Sequence, residues 1–371
     1  MAARTSTKRL LRVSSGPMSS HATASASPPA PVNARATSGG PPNPAHNQTI
    51  KLPDGRTLGF AEYGDARGRK TLLYFHGYPS SRVEAKVLDR LARAHSIRVL
   101  ALDRPGYGLS TPQRPRRALL DWPRDVAAFA ASQRLDRFAV LGTSGGGPFA
   151  VACAHALAPC KLTAVGLFAG APPWAAGRHL MTRGRRVLRV LANWFPGLLG
   201  AGAALALRLA RWLVGTRWVT ARLDAWLVLV NQQARDKEAA RREADPAARP
   251  STVLASDDRP VAEQRAALLN LLIGEPFAQG FDGAVQEARI LTDDDWGFHL
   301  EDVAFRHAPI KIWHGTKDAN APIEAIRYLA ERLPNAELHE YSQDTHYTMG
   351  DHIEEALLDL MDQTDRGEKM P

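Results

Sequence analysis

Phe138-Ala139-Val140-Leu141-Gly142-Thr143-Ser144-Gly145-Gly146 is the stretch on which the fold turns. Four apolar residues make a strand of the buried type, and Gly142-Thr143-Ser144-Gly145-Gly146 then spells G-x-S-x-G directly before a segment, 147–158, that fits a helix. A serine on so tight a strand-to-helix turn is forced into a strained backbone, and only small residues two positions to either side leave room for it. Its hydroxyl then stands at the carboxyl end of a sheet, above the positive end of the following helix. The competing reading is a glycine-rich phosphate cradle, but no Lys-Ser/Thr follows the glycines and their spacing is not G-x-G-x-x-G.

Outward from this turn, short apolar runs alternate with helical periodicity, which predicts an α/β protein with a mainly parallel sheet. A hairpin opens it at Ile50-Lys51-Leu52, turns at Pro53-Asp54-Gly55 and returns through Thr57 to Tyr63. Strands are expected at Thr71–Phe75, Arg98–Leu102, Phe138–Leu141, Leu162–Phe168, Ile310–Trp313 and Glu337–Tyr341, eight with the hairpin. Amphipathic helices fit near 82–94, 119–133, 147–158, 323–332 and 352–362. Between Gly170 and Pro309 lie 138 residues with helical segments and no convincing strand. The expected organisation is therefore a sheet domain over 48–170 and 309–371, interrupted by a helical cap over 171–308.

A serine alone is a poor nucleophile; it needs a base to take its proton, and the base needs a carboxylate to orient it. Both lie downstream in order. Asp318 follows the strand Ile310–Trp313 in His314-Gly315-Thr316-Lys317-Asp318, and His346 follows Glu337–Tyr341 in Ser342-Gln343-Asp344-Thr345-His346. Taken singly, Asp318 could as well cap the helix starting near Pro322, and His346 is one of twelve histidines. Asp344 is a rival carboxylate whose closeness to the histidine suits it better to shaping the loop. No acid follows the strand ending at Phe168. An oxyanion requires two converging backbone N–H groups, expected from Gly145 and from Tyr78 in His76-Gly77-Tyr78-Pro79.

As a set, His76-Gly77-Tyr78-Pro79, Asp103-Arg104-Pro105-Gly106-Tyr107-Gly108, Gly142-Thr143-Ser144-Gly145-Gly146, Trp296-Gly297-Phe298, His314-Gly315 with Asp318, and His346 resemble the α/β-hydrolase superfamily, in its cap-bearing branch. The likeness runs from about residue 50 to the end and covers 171–308 only loosely. It implies Ser144 as nucleophile, His346 as base, Asp318 as orienting acid, elbow glycines at Gly142 and Gly146, and a helical cap over the site. Thr345 departs from it, standing where many relatives carry Gly. Epoxide hydrolases and haloalkane dehalogenases use an Asp nucleophile, whereas this elbow carries Ser144, and all seven tyrosines lie outside 171–308, where epoxide opening would need them. Proline iminopeptidases carry Trp after the elbow serine and a Gly-Gly-Pro-Gly loop, neither of which is present here.

The expectation is thus a serine hydrolase cleaving a carboxylic ester, with no metal or organic cofactor and a small, apolar acyl substrate. Thioesters, lactones, amides, C–C bonds and perhydrolysis call on the same triad. A triad-retaining ligand receptor is the reading from another class.

Six of the eight tryptophans, Trp174, Trp194, Trp212, Trp218, Trp226 and Trp296, fall within 171–308. They would either wall an apolar pocket over the serine or form the cap's own core, the latter being favoured. Charge divides this segment: nine arginines and no acid lie between Arg178 and Leu223, against sixteen acids and eight bases between Asp224 and Asp302. A basic face for an anionic membrane or a phosphate-bearing thioester competes with mutual neutralisation of the two halves, which the nearly cancelling sums favour.

Over 371 residues, 44% are apolar and 23% charged, a globular composition with a sizeable core. The formal charge of +9 owes much to the first 53 residues, with six bases and no acid. The remainder holds 41 bases against 38 acids and no basic run interleaved with aromatics, which excludes a nucleic-acid reading. Residues 1–47, rich in Ser, Ala, Pro and Arg, read as a disordered tail or a mitochondrial transit peptide. The expected location is intracellular: cytoplasmic, or mitochondrial if the tail is a targeting signal. With no apolar signal core the Asn47-Gln48-Thr49 sequon is expected to stay unmodified. The longest apolar run, Trp194–Leu207, has 14 residues, short of a transmembrane span. Cys153 and Cys160, in what reads as one helix, would stand about 10 Å apart, too far for a disulfide.

Overall fold

The computed structural model describes residues 44–113, 117–244 and 257–367. The expectation for the tail falls almost wholly on 1–43, outside the described residues. Eight strands form one sheet in the order β1-β2-β4-β3-β5-β6-β7-β8. They are β1 (Gln48–Lys51), β2 (Thr57–Gly64), β3 (Lys70–Phe75), β4 (Ile97–Leu102), β5 (Phe138–Thr143), β6 (Leu162–Phe168), β7 (Ile310–Gly315) and β8 (Ala336–Tyr341). β1 and β2 pair antiparallel, as do β2 and β4; every other pairing is parallel. The eight-stranded, mostly parallel sheet expected from the apolar runs is therefore present.

Because strand residues alternate sides, each strand contributes to two apolar layers. Leu73, Phe75, Leu100, Leu102 and Val140 face α2 (Trp122–Ser132) and α3 (Gly147–Ala156), where Trp122, Val126, Phe129 and Phe149 are buried. The Trp122 ring meets Phe75 edge-on, centroids 5.3 Å apart. Leu72, Tyr74, Val99, Ala101 and Leu141 face the other way, against Leu91 and Ala92 of α1 (Asp89–Ala94) and Ala356, Leu357 and Leu360 of the C-terminal helix at Ile353–Gly367.

One helix differs from its periodicity. Where 82–94 reads as a single amphipathic helix, Arg82–Leu88 is a 3-10 helix that passes into α1. Arg82 is fully buried at its start: the backbone N–H donates to Asp103 Oδ1 at 2.6 Å, and Nη1 reaches Asp103 Oδ2 at 3.0 Å and Glu275 Oε2 at 2.6 Å. That tertiary anchor, absent from any local pattern, fixes the first turn. Likewise α3 ends at Ala156, so Cys160 lies beyond the helix; both cysteines are free, Cys153 buried and Cys160 exposed.

Between β6 and β7 the described residues contain helices and no strand: α4 (Arg183–Trp194), α5 (Pro196–Val214), α6 (Arg217–Ala244), α7 (Val261–Leu269) and α8 (Asp282–Leu291), with short 3-10 and π turns. α8 packs on α4 and α5, and α6 on α7. α9 (Ile323–Arg332) and α10 (Ile353–Gly367) complete the sheet domain. By length and composition α5 qualifies as a membrane-crossing helix, which the 14-residue apolar run alone does not. Its apolar residues continue past Arg208 and Arg211 to Val214.

Candidate active site

The parallel registers bring the carboxyl ends of β3, β5, β6, β7 and β8 to one edge: Phe75 pairs with Gly142, Thr143 with Phe168, Phe168 with Trp313, and Gly315 with Tyr341. The loops leaving these ends carry His76–Pro79, Ser144, Asp318 and His346, so residues far apart in the chain share one rim. This is the edge at which open α/β sheets take ligands.

Ser144 leaves β5 with φ of +47°, a left-handed conformation costly for a residue with a Cβ. Its neighbours make the turn possible. A Cβ on Gly142 would run into the Gly146 carbonyl oxygen, and one on Gly146 into that of Phe75. The Ser144 carbonyl is held by the Ala171 N–H at 2.7 Å, and α3 begins at Gly147 with its positive end toward the turn.

His346 Nε2 stands 3.0 Å from Ser144 Oγ, and His346 Nδ1 stands 2.7 Å from Asp318 Oδ2. A carboxylate can only accept, so Nδ1 carries the proton and Nε2 is left to accept from the serine hydroxyl. Asp318 Oδ1 also accepts the N–H groups of Asn320 and Ala321 at 2.7 and 2.8 Å, which fixes the loop ahead of α9 without capping that helix, whose N-terminus has no side-chain cap bond. Burial pushes the Asp318 carboxyl up, but its bond to His346, the imidazole's charge and the Ala321 N–H outweigh burial and hold it below the usual carboxylate range. Asp344, the rival, bonds His352 Nε2 at 3.1 Å and accepts the Lys317 N–H through its carbonyl at 2.9 Å, a loop-shaping role. Thr345 replaces the usual glycine without strain, because its φ is not in the left-handed region; its N–H donates to Thr348 Oγ1 at 2.9 Å.

Tyr78 and Gly145 face one another across the turn, a Cβ on Gly145 falling 3.0 Å from the Tyr78 nitrogen. Among the described residues the Tyr78 N–H has no hydrogen-bond partner, and the Gly145 N–H has none outside its own short helix. Two side chains that the sequence did not single out hold this loop. Glu84 accepts the Gly77 N–H at 3.0 and 3.1 Å through its two oxygens, and its Oε1 also takes Thr143 Oγ1 at 2.8 Å and Tyr74 Oη at 2.7 Å, tying the loop to the residue before the serine. Arg104 donates Nη1 to the His76 carbonyl at 2.6 Å and Nη2 to the Gly77 carbonyl at 2.9 Å. Arg104 stands inside a quoted motif, which could have flagged it; nothing in the sequence marks Glu84.

A cavity of about 290 Å³ opens over Ser144 and His346. Its walls are mostly small or apolar, with Tyr78, Ala171 and Ala321 from the sheet domain, Leu188 from α4, and Ala288 and Leu291 from α8. Among the described residues Arg185 of α4 is the only arginine or lysine in the wall; one arm of its guanidinium donates to the Asn320 carbonyl. No tryptophan lines this cavity. Trp174 and Trp296 are buried, whereas Trp194, Trp212, Trp218 and Trp226 face solvent, so those four neither wall the pocket nor build a cap core. A larger cavity of about 980 Å³, between Tyr63, Lys86, Leu227 and Gln264, has no serine, threonine or cysteine in its wall among the described residues. Among the described residues no group of three or more His, Cys, Asp or Glu could hold a metal ion.

The family model of the α/β hydrolase fold matches residues 70–199. The pimeloyl-[acyl-carrier protein] methyl ester esterase of Aromatoleum aromaticum is 34% identical over 97 residues, 26% of this chain and 36% of that protein, so the match spans little more than a third of that relative's length. Among solved structures, an esterase from Exiguobacterium antarcticum superposes with a TM-score of 0.55 at 16% identity, covering 85% of this chain and 99% of that one. A bromoperoxidase from Bacillus anthracis gives 0.54 at 17% identity, again over 85% and 99%. At such identities the two structures share the fold with this chain. With the family model matched from β3 into the helical segment and a sheet of this topology beneath it, the chain has the α/β-hydrolase fold.

Proposed function

We propose that this protein is a serine hydrolase that cleaves a carboxylic ester through an acyl-enzyme on Ser144. The observation that carries the reading is the unbroken relay Ser144 Oγ to His346 Nε2 at 3.0 Å and His346 Nδ1 to Asp318 Oδ2 at 2.7 Å. In the reading, Ser144 Oγ attacks the ester carbonyl carbon as His346 Nε2 takes the hydroxyl proton. Asp318 holds the imidazole in the right tautomer and stabilises the imidazolium. The carbonyl oxygen, now an anion, is received by the Tyr78 and Gly145 N–H groups, each worth about 3–4 kcal/mol to the transition state. The tetrahedral intermediate collapses, the leaving alkoxide takes the proton from His346, and the acyl group remains on Ser144. Water, deprotonated by the same nitrogen, then releases the acid and restores the serine.

The helical segment over 171–308 acts in this reading as a cap, since α4 and α8 supply the wall opposite the serine. The modest cavity volume and its Leu, Ala and Tyr lining suit a small acyl ester. Arg185 adds a preference for an ester whose far end carries negative charge.

A fluorophosphonate probe tests the assignment. Labelling of the wild type and not of Ser144→Ala is the expected result; a well-folded protein that the probe leaves untouched would overturn it in favour of a ligand receptor. A panel of p-nitrophenyl esters graded by acyl length then reads the pocket.

A further inference from the structure

Of the helices between β6 and β7, α4, α5 and α6 turn many of their large apolar side chains outward. On α4, Val187, Val190 and Trp194 fall on one stripe and are exposed, Trp194 by 77%, while Leu188 on another face lines the cavity beside Ser144. On α5, Leu198, Leu205, Leu209 and Trp212 follow at helical spacing and are all more than half exposed, while of the whole helix only Leu207 is buried. Trp218 opens α6 at 68% exposure. Soluble surfaces carry such residues singly; three successive helices of them form a patch that requires a partner.

Charge decides which partner. Of the nine arginines between 178 and 223, only Arg178 and Arg189 form ion pairs with a carboxylate of the acidic half among the described residues, both with Asp294. Mutual neutralisation of the two halves, favoured by the sums, is thus confined to one aspartate. Arg183, Arg186, Arg208, Arg211, Arg217 and Arg222 are exposed and make no ion pair among the described residues, and Arg222 lies over the Trp218 ring at 5.2 Å. A second copy of the chain would set these arginines against each other. An acidic peptide would neutralise them and leave most of the tryptophan and leucine surface wet. An anionic bilayer meets both demands, with phosphates for guanidinium groups and an acyl boundary for the apolar stripes.

We infer that α4, α5 and α6 form a docking face for an anionic lipid bilayer, on which the chain lies with its arginines among the head-group phosphates and Trp194, Trp212 and Trp218 in the interface. The chain lies on the bilayer rather than crossing it, because Arg208 and Arg211 interrupt α5 and α4 and α6 pack against it. α4 serves both faces, with the cavity wall on one side and the docking stripe on another. The inference is independent of the chemistry at Ser144.

Flotation of the full chain with vesicles of phosphatidylcholine alone, and of phosphatidylcholine with phosphatidylglycerol at about 7:3, tests it. Binding is expected to the mixed vesicles only and to be reversed by salt. Arg208→Gln with Arg211→Gln should weaken it by about tenfold or more. Trp212→Ser with Trp218→Ser should also weaken it, and both pairs should keep the wild-type melting curve and fluorophosphonate labelling. No binding by well-folded protein, equal binding to neutral vesicles, retention that salt and alkaline carbonate fail to reverse, or self-association abolished by the tryptophan changes in place of vesicle binding would each overturn it.

Discussion

Arg104 and Glu287 form a two-pronged ion pair, Nε to Oε2 at 2.7 Å and Nη2 to Oε1 at 2.6 Å, with both side chains buried. The same guanidinium holds the carbonyls of His76 and Gly77, so the loop carrying Tyr78 is fastened through one side chain to α8. Helix α8 and the loop carrying Tyr78 are thereby one mechanical unit.

Glu287→Ala should therefore cost more than a surface pair would. It leaves a buried guanidinium with only carbonyl partners, a loss of about 3–5 kcal/mol. Urea unfolding measures it. A change within experimental scatter would mean that Arg104 finds water or another acid once Glu287 is gone.

Asp318→Asn separates orientation from folding. An amide oxygen can still accept the Asn320 and Ala321 N–H groups, but the NH2 then faces His346 Nδ1 and forces the proton onto Nε2. Turnover of a p-nitrophenyl ester should fall by about 10⁴ while the fold persists. A drop of less than tenfold would point to another carboxylate.

His76 and His314 set the acid limit of stability. His76 Nδ1 donates to the Gly77 carbonyl at 2.8 Å and Nε2 accepts the Arg104 N–H at 3.2 Å, so the ring is neutral. Burial first, then the Arg104 charge, hold its pKa well below the ordinary value. Burial likewise lowers His314, against the opposing pull of the Ala321 carbonyl and Asp318. Each folded value lies below the unfolded one of about 6.5, so the unfolded chain takes protons that the folded chain refuses. Stability is then complete above about pH 6.5 and falls as the pH drops through it, by about 1.4 kcal/mol per pH unit for each histidine. Urea midpoints at a series of pH values check this; a flat profile from neutral to mildly acid pH would contradict it.

Gly146→Ala should destabilise by about 2–3 kcal/mol, because the new Cβ meets the backbone of Phe75 and His76, which cannot yield without moving β3. Gly184→Ala on α4, with open space around it, should instead stabilise by about 0.5–1 kcal/mol. Melting curves of the two variants distinguish a steric requirement from helix propensity.

Arg185→Gln tests the charge preference of the cavity. The half-buried guanidinium should favour a hemi-ester over the matching neutral diester, and its loss should reduce that ratio of kcat/KM by about tenfold. An unchanged ratio would restrict Arg185 to its bond with the Asn320 carbonyl.

Much of the architecture was legible because a buried parallel strand is a continuous apolar run whichever way its partners lie, and Leu162–Phe168 and Ile310–Trp313 are such runs. The candidate site was legible for a related reason. G-x-S-x-G is a steric requirement written locally, and Asp318 and His346 each follow a strand whose end had to reach the same edge. Glu84 stayed hidden because its four contacts, to Gly77, Thr143 and Tyr74, join the ends of two strands, β3 and β5, that are about 70 residues apart in the chain.

The tryptophans and arginines of 171–308 mark where reading the chain by itself stopped. Their number and order are fixed in the primary structure, and from number alone a cap core was favoured over an apolar pocket and internally neutralised halves over a basic face. Which side of a helix meets a neighbour depends on the helices packed beside it. Packing of α8 on α4 and α5 turned Leu188 and Leu291 toward Ser144 and left Trp194 and Trp212 in water. Sequence determined the strands, the strained serine turn and the order of the acid and the base, since each is a local consequence of side-chain size and hydrophobicity. Burial, pairing of charges and the outward face of α4 to α6 were decided by tertiary contact, because exposure is a property of neighbours.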